Sequence, residues 1–167
     1  MPVPTWAVGQ VLSASDVNSW FVPVSAIKTA DQSVTSSTAF VNDTELLVPI
    51  VAVGSYQFEC YLNYEGGTLG ASDIKWRFIV PAGTAMRYTW AANGTGGGTH
   101  AGDTQIAGDT PSASSNGAGV GRGVMMIGTI VAGVNAGNMQ LQWAQNTSSG
   151  TATIVHIQSC LVLRRIA

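Results

Sequence analysis

From Ser55 to Glu65 the chain alternates strictly: Tyr56, Phe58, Cys60, Leu62 and Tyr64 fall on one side, and Gln57, Glu59, Tyr61, Asn63 and Glu65 on the other. Period two lays one face against a core and turns the other outward or towards a partner, a pattern no helix reproduces. Upstream lie a strand from Val34, a polar turn at Asn42-Asp43-Thr44, an apolar strand and a break at Gly54. The same reading predicts strands near 25–30, 33–41, 45–51, 55–64, 72–80, 85–91, 119–132, 137–145 and 152–165. Turn signals separate them at Glu65-Gly66-Gly67, Pro81-Ala82-Gly83, Asn135-Ala136-Gly137 and Asn146 to Gly150. Strands at this spacing, with no helical period after residue 25, predict an all-β antiparallel sandwich or jelly roll over 26–167.

Residues 1–25 differ. Trp6, Val8, Val11 and Leu12 are apolar without a period, and SASDVNSWF then predicts a short helix. Ser13 or Ser15 caps it, Asp16 suits the positive end of the helix dipole, and Pro23 stops it. About two turns of helix are unstable alone in water, so the segment needs something to pack on. Either its own domain or another protein serves, and Trp6, Leu12, Val17, Trp20 and Phe21 are the residues expected to anchor it.

Two further segments depart from plain alternation. Residues 92–117, rich in Gly, Ser and Thr, predict a long exposed loop of the kind that is functional or mobile. The last strand, ATIVHIQSCLVLRRI, carries Val155, Ile157, Leu161 and Leu163 on one face, with Ile154, Cys160 and Val162 apolar on the other. A strand apolar on both faces is central in its sheet or in an assembly. Trp143, Ile154, His156 and Val162 are accordingly the expected subunit contacts.

Composition sharpens that expectation. The chain has 167 residues, a single domain's worth, of which only 10% are charged. So few charges leave a monomer with an adhesive surface, which contact between identical copies would hide. A net charge of −2 and scattered basic residues give no footprint for nucleic acid. The longest apolar run, Leu46 to Val53, is too short to span a membrane, and the opening residues lack the form of a secretory signal. Cys60 and Cys160 read as buried thiols, with a cross-strand disulfide as the other possibility.

Candidate chemistry is sparse. His156 alternates with Ile154 and Gln158 as a structural strand residue would, and His100 near Asp103 and Asp109 matches no defined metal spacing. Glu59 and Glu65 share a face but stand about 20 Å apart, too far for a glycosidase pair. GTGGG at 94–98 lacks the Lys-Ser/Thr and the strand–helix setting of a phosphate loop. The reading is therefore of a non-enzyme without metal or cofactor. Among the tryptophans, Trp76 and Trp143 suit a core, whereas Trp90, beside the 92–117 segment with His100, is the candidate platform for a sugar ring. Lys75 and Arg77 share a face with Asp73, as isolated charges that would pair between subunits do.

The opening WAVGQVLSASDVNSWF resembles the G-x-x-L-[ST]-A-x-D-x-N leader of virion proteins from tailed phages of actinobacteria, carried here by Gly9, Leu12, Ala14, Ser15, Asp16 and Asn18, with Ser13 replacing the usual Thr. The body, from VTSSTAFVNDTELLVPI to LQWAQNTSSGTATIVHIQSCLVLRRI, is similar to small proteins encoded among the structural genes of such phages and prophages. Its strand pattern also resembles trimeric jelly rolls of the TNF/C1q type, an architectural analogy. The resemblance implies a virion protein assembled in the bacterial cytoplasm with reduced cysteines. It would be a homotrimer on the particle exterior, a head decoration or a tail appendage fastened by residues 1–25 to other virion proteins. The alternative is a receptor-binding module that recognises host surface glycan through the 92–117 segment.

Overall fold

A computed structural model describes residues 7–67, 74–93, 99–101 and 105–167. Helix α1 (Ala14–Phe21) precedes an antiparallel run of strands. These are β1 (Val24–Ile27), β2 (Gln32–Val34), β3 (Val41–Ile50), β4 (Ser55–Glu65), β5 (Ile74–Ile79) and β6 (Ala85–Asn93). Then come β7 (Thr99–Ala101), β8 (Gln105–Ile106), β9 (Ser112–Ala113), β10 (Arg122–Val131), β11 (Gly137–Gln145), β12 (Thr153–Val155) and β13 (Cys160–Arg165). Among the described residues they form a large sheet of nine strands, ordered β1-β13-β4-β10-β6-β7 with β2, β8 and β12 alongside, and a small one ordered β3-β11-β5-β9. Every strand pairing is antiparallel.

The two sheets face each other across one apolar core, which makes the fold a β-sandwich. From the large sheet come Phe58, Leu62, Met126 and Tyr88, and from the small one Leu46, Trp76, Phe78 and Trp143, all buried. Alternation dictates this arrangement, since the even-numbered residues of β4, β6 and β10 point inward together. Phe58 and Tyr88 meet Phe78 edge-on at 5.3 Å each, joining the sheets. Gly128 lies beneath this cluster. A Cβ there would come within 2.3 Å of the Arg87 carbonyl and 2.7 Å of the Phe58 ring, so a hydrogen is all the position holds.

Several expectations need correcting. Asn42-Asp43-Thr44 is no turn between strands: it lies inside β3, where a bulge opposes residues 42–47 to Gln140 and Gln142 of β11. The Asp43 side chain makes the bend by accepting the amides of Glu45 (3.0 Å) and Leu46 (2.9 Å). The expected strand 152–165 is two strands, β12 and β13, divided by a turn in which Gln158 takes φ 67°. Ser159 fills that turn: its hydroxyl accepts the Asn63 amide at 2.9 Å and donates to the His156 carbonyl at 2.9 Å. Residues 92–117 are also not one loop, because β7 and β8 extend the β6 side of the large sheet and β9 borders β5. Residues 94–98 and 102–104 lie outside the described residues.

Cys60 and Cys160 are free thiols. Register explains why. Cys160 stands opposite Tyr61, and Leu161 opposite Cys60, so the two sulfurs project from opposite faces of one sheet. Burial pushes the Cys60 thiol well above its ordinary pKa.

The helix forms where its cap predicted. Val17 N–H donates to the Ser13 carbonyl at 3.2 Å, placing Ser13 at the cap position. It rests against β13 at one end of the sandwich. A cavity of about 120 Å³ separates it from the strands, lined by Asn18, Val22, Pro49, Tyr56, Leu163 and Arg165 among others.

Candidate functional surface

The outward residues of the two sheets differ in kind. On the small sheet Leu47 and Ile79 are exposed, but the neighbouring polar residues satisfy one another: Arg77 Nε donates to Gln142 Oε1 at 2.7 Å, and Gln142 Nε2 donates to Asn42 Oδ1 at 2.7 Å. Arg77 also lies over the Phe40 ring, 4.3 Å from its centroid, with Lys75 at 4.9 Å. The expectation that these cations await another subunit therefore gives way to partners in the same chain. Behind them Lys28 and Asp43, both side chains wholly buried, pair at 3.1 Å. The Trp143 indole N–H donates to the same carboxylate at 3.2 Å, and the Glu45 carboxylate stands 3.7 Å from Lys28. A buried ion pair of this kind is costly to desolvate, and removing either partner leaves the other charge stranded.

The large sheet has a different outer face. Its register lines up Ile27, Cys160, Tyr61, Met125 and Ala91 in one row across five strands. The next row holds Ser25, Val162, Glu59, Ile127 and Thr89, and the third Arg164, Gln57, Thr129 and Arg87. Ile27 (59% exposed), Met125 (52%), Tyr61 (46%) and Ile127 (43%) meet solvent where an outward strand position normally carries a polar residue. An open hollow of about 430 Å³ beside them is lined by Gln57, Arg87, Thr89, Ile127, Thr129 and Ile166 among others.

At the far end of this face His156 stands between two carboxylates. Its Nδ1 is 3.2 Å from Asp31 Oδ2 and its Nε2 3.5 Å from Glu65 Oε2. Asp31 also accepts the Ile157 amide at 2.8 Å, and Glu65 the Gly119 amide at 3.1 Å. The Ile157 amide first, then the His156 hydrogen bond, hold the Asp31 carboxyl below its usual pKa. Thr29, through hydroxyl and amide, does the same for Glu45. The cluster ties the β1–β2 connection, the end of β4 and the β12–β13 turn together.

The expected site residues are dispersed. Val162 lies on the large outer face, and so does Ile154, opposite Glu65 at its end. His156 borders them. Trp143 is instead a core residue, fully buried, because it shares the inward parity of Met139 and Leu141. It is not a subunit contact. Trp90 likewise points inward with Met86 and Tyr88, half-buried and edge-on to Trp76 at 5.2 Å. Its face is committed to the core rather than open to a sugar. His100 pairs its backbone with Ala92 in β7, and its side chain lies outside the described residues. Among the anchor residues, Leu12 (41%) and Val17 (36%) are exposed. Trp6 and the side chains of Trp20 and Phe21 lie outside the described residues. Val8 and Val11, at 108% and 90%, stand clear of the domain altogether.

Sequence reasoning missed the Lys28–Asp43–Trp143 cluster, whose members are far apart in the chain and carry no local motif. The apolar outer face was partly visible in β10, where Met125 and Ile127 occupy positions that alternate with the core residues Val124 and Met126. Among the described residues no group of His, Cys, Asp and Glu is arranged to hold a metal, and no helix is long and apolar enough to cross a membrane.

No protein-family model matches the chain, and no curated protein does. Among solved structures it is similar to that of the infectious bursal disease virus Gt strain (14% identity, TM-score 0.22). It is also similar to the VP2 subviral particle of infectious bursal disease virus (13%, 0.22). Each match covers 99% of this chain, which spans 47% of the length of the other.

Proposed function

We propose that this protein is a non-enzymatic structural component of a tailed-phage particle, assembled in the bacterial cytoplasm. It would be displayed on the exterior as a jelly-roll homotrimer, a head decoration or tail appendage, and fastened to other virion proteins by its N-terminal segment. The observation that carries this reading is the leader. Val8, Val11 and Leu12 are apolar, exposed and uncovered by the domain they precede. Val11 and Leu12 belong to the stretch that resembles the phage leader pattern, Gly9 to Asn18, and Val8 directly precedes it. Apolar side chains held out in water are stabilised only when another surface takes them up.

Deleting residues 1–22 tests the reading. The truncated protein is expected to keep its β-sheet circular dichroism and its mass in light scattering while failing to join particles. Incorporation at the level of the full chain would overturn the anchoring role. The rival reading, a glycan-recognising module built on Trp90, has less support, since that ring is turned into the core.

A further inference from the structure

We propose that the outer face of the large sheet is where one copy of this chain meets the next, with Glu59 of one copy paired to Arg87 of its neighbour. The inference deepens the assembly part of the function proposed above by naming the surface, and it is independent of how the leader is used.

Extent is the first argument. The apolar rows cross five strands, β1, β13, β4, β10 and β6. At about 4.8 Å between strands and about 3.3 Å per residue along them, these two rows cover on the order of 300 Å² in projection, and the polar third row brings the face to on the order of 500 Å². Two such faces brought together remove on the order of 1,000 Å² from water, the scale at which a specific interface becomes stable. In a chain only 10% charged, Ile27, Tyr61, Met125 and Ile127 are exposed together on this face.

Charge is the second argument, and it identifies the occupant. Glu59 lies mid-face between Val162 and Ile127, exposed, with no ion pair among the described residues. Arg87 lies one row down and two strands away, also exposed and without an ion pair there. Strand spacing puts the two backbones about 12 Å apart, and the two side chains do not pair with each other. A surface that carries both signs at a fixed offset complements a rotated copy of itself. The match joins residue 59 of one copy to residue 87 of the other, which either a reciprocal or a ring-closing contact can supply. Once apolar neighbours exclude water, each charge needs the other.

Light scattering and sedimentation on the full chain test this. Glu59→Arg is expected to weaken self-association by roughly tenfold or more, as charge pairs at interfaces do. The double variant Glu59→Arg/Arg87→Glu is expected to restore the parental mass. Ile127→Ser, which removes apolar contact without altering charge, should also shift the mass towards 17.3 kDa. Circular dichroism on each variant confirms that the sandwich is folded. A parental mass in Glu59→Arg and Ile127→Ser overturns the proposal while leaving assembly through another surface intact. Failure of the double variant to regain what the single one lost overturns the Glu59–Arg87 pairing. A parent protein at 17.3 kDa in micromolar solution overturns both this inference and the trimer, whereas the leader is judged separately by particle incorporation.

Discussion

The sandwich presents two outer faces built by the same alternation, and they solve opposite problems. On the small sheet, Asn42, Gln142, Arg77 and Phe40 form a chain of contacts beside the exposed Leu47 and Ile79, and these polar groups are satisfied within the chain. On the large sheet, Ile27, Tyr61, Met125 and Ile127 reach into water, with Glu59 among them making no ion pair among the described residues. Identical backbone geometry thus leaves the choice between a finished surface and an open one to the outward residues alone. A period-two pattern reports which residues face the core, but the identity of the others decides whether a sheet is complete in itself.

The largest expected effect lies beneath the finished face. Asp43→Ala strands Lys28, deprives Trp143 of its acceptor and unties the bulge of β3, and should cost about 3–5 kcal/mol in denaturant unfolding. A loss under about 1 kcal/mol would mean that Lys28 finds water by local opening, and the small sheet would be less self-contained than its contacts suggest. Next comes Arg77→Ala, which gives up a hydrogen bond and a cation–ring contact and should cost about 1–2 kcal/mol by the same measurement.

Acid should then act where Asp31 and Glu45 flank the β1–β2 connection. Asp31 and Glu45 are both held below their ordinary values of 3.8 and 4.5 in the folded state. A depressed carboxylate stabilises the fold fully above its unfolded pKa, and that stabilisation is lost as pH falls through the folded value. Stability set by these groups is therefore expected to hold from neutral pH down to about 4.5 and to decline below it. Asp31→Asn should lower stability at neutral pH and make the acid decline shallower, and an unchanged slope would remove Asp31 from the cause. The smallest effect should come from the open face. Ile127→Ser, unfolded in dilute solution, should change stability by no more than about 0.5 kcal/mol, although the proposed interface predicts a lower mass for it at higher concentration. A cost above about 1 kcal/mol in the dilute protein would make Ile127 a packing residue of its own chain and erase the contrast between the faces.

How much of this could be read from residues alone follows from the range of each signal. The inward parity of β4, β10 and β11 was plain, since it depends only on neighbours two apart. Applied consistently, it would also have put Trp143 and Trp90 inside, because each shares parity with buried residues of its own strand. The division of β12 from β13 was marked only by the short, mostly polar run His156 to Ser159, and the break depends on one left-handed residue, Gln158, with Ser159 plugging the gap. The pairing of Lys28 with Asp43 was out of reach for another reason. It exists only after β1 and β3 have been brought together, and nothing local in either segment announces it.

Gly128 carries a consequence of its own. The atoms around it leave no room for even a methyl group, and they belong to the backbone of a paired strand and to an aromatic ring locked among others. In an exhaustive substitution library this codon should tolerate no replacement under selection for folding alone. Positions such as Glu59, by contrast, should vary freely until selection also demands assembly, so the two kinds of constraint can be told apart by genetics.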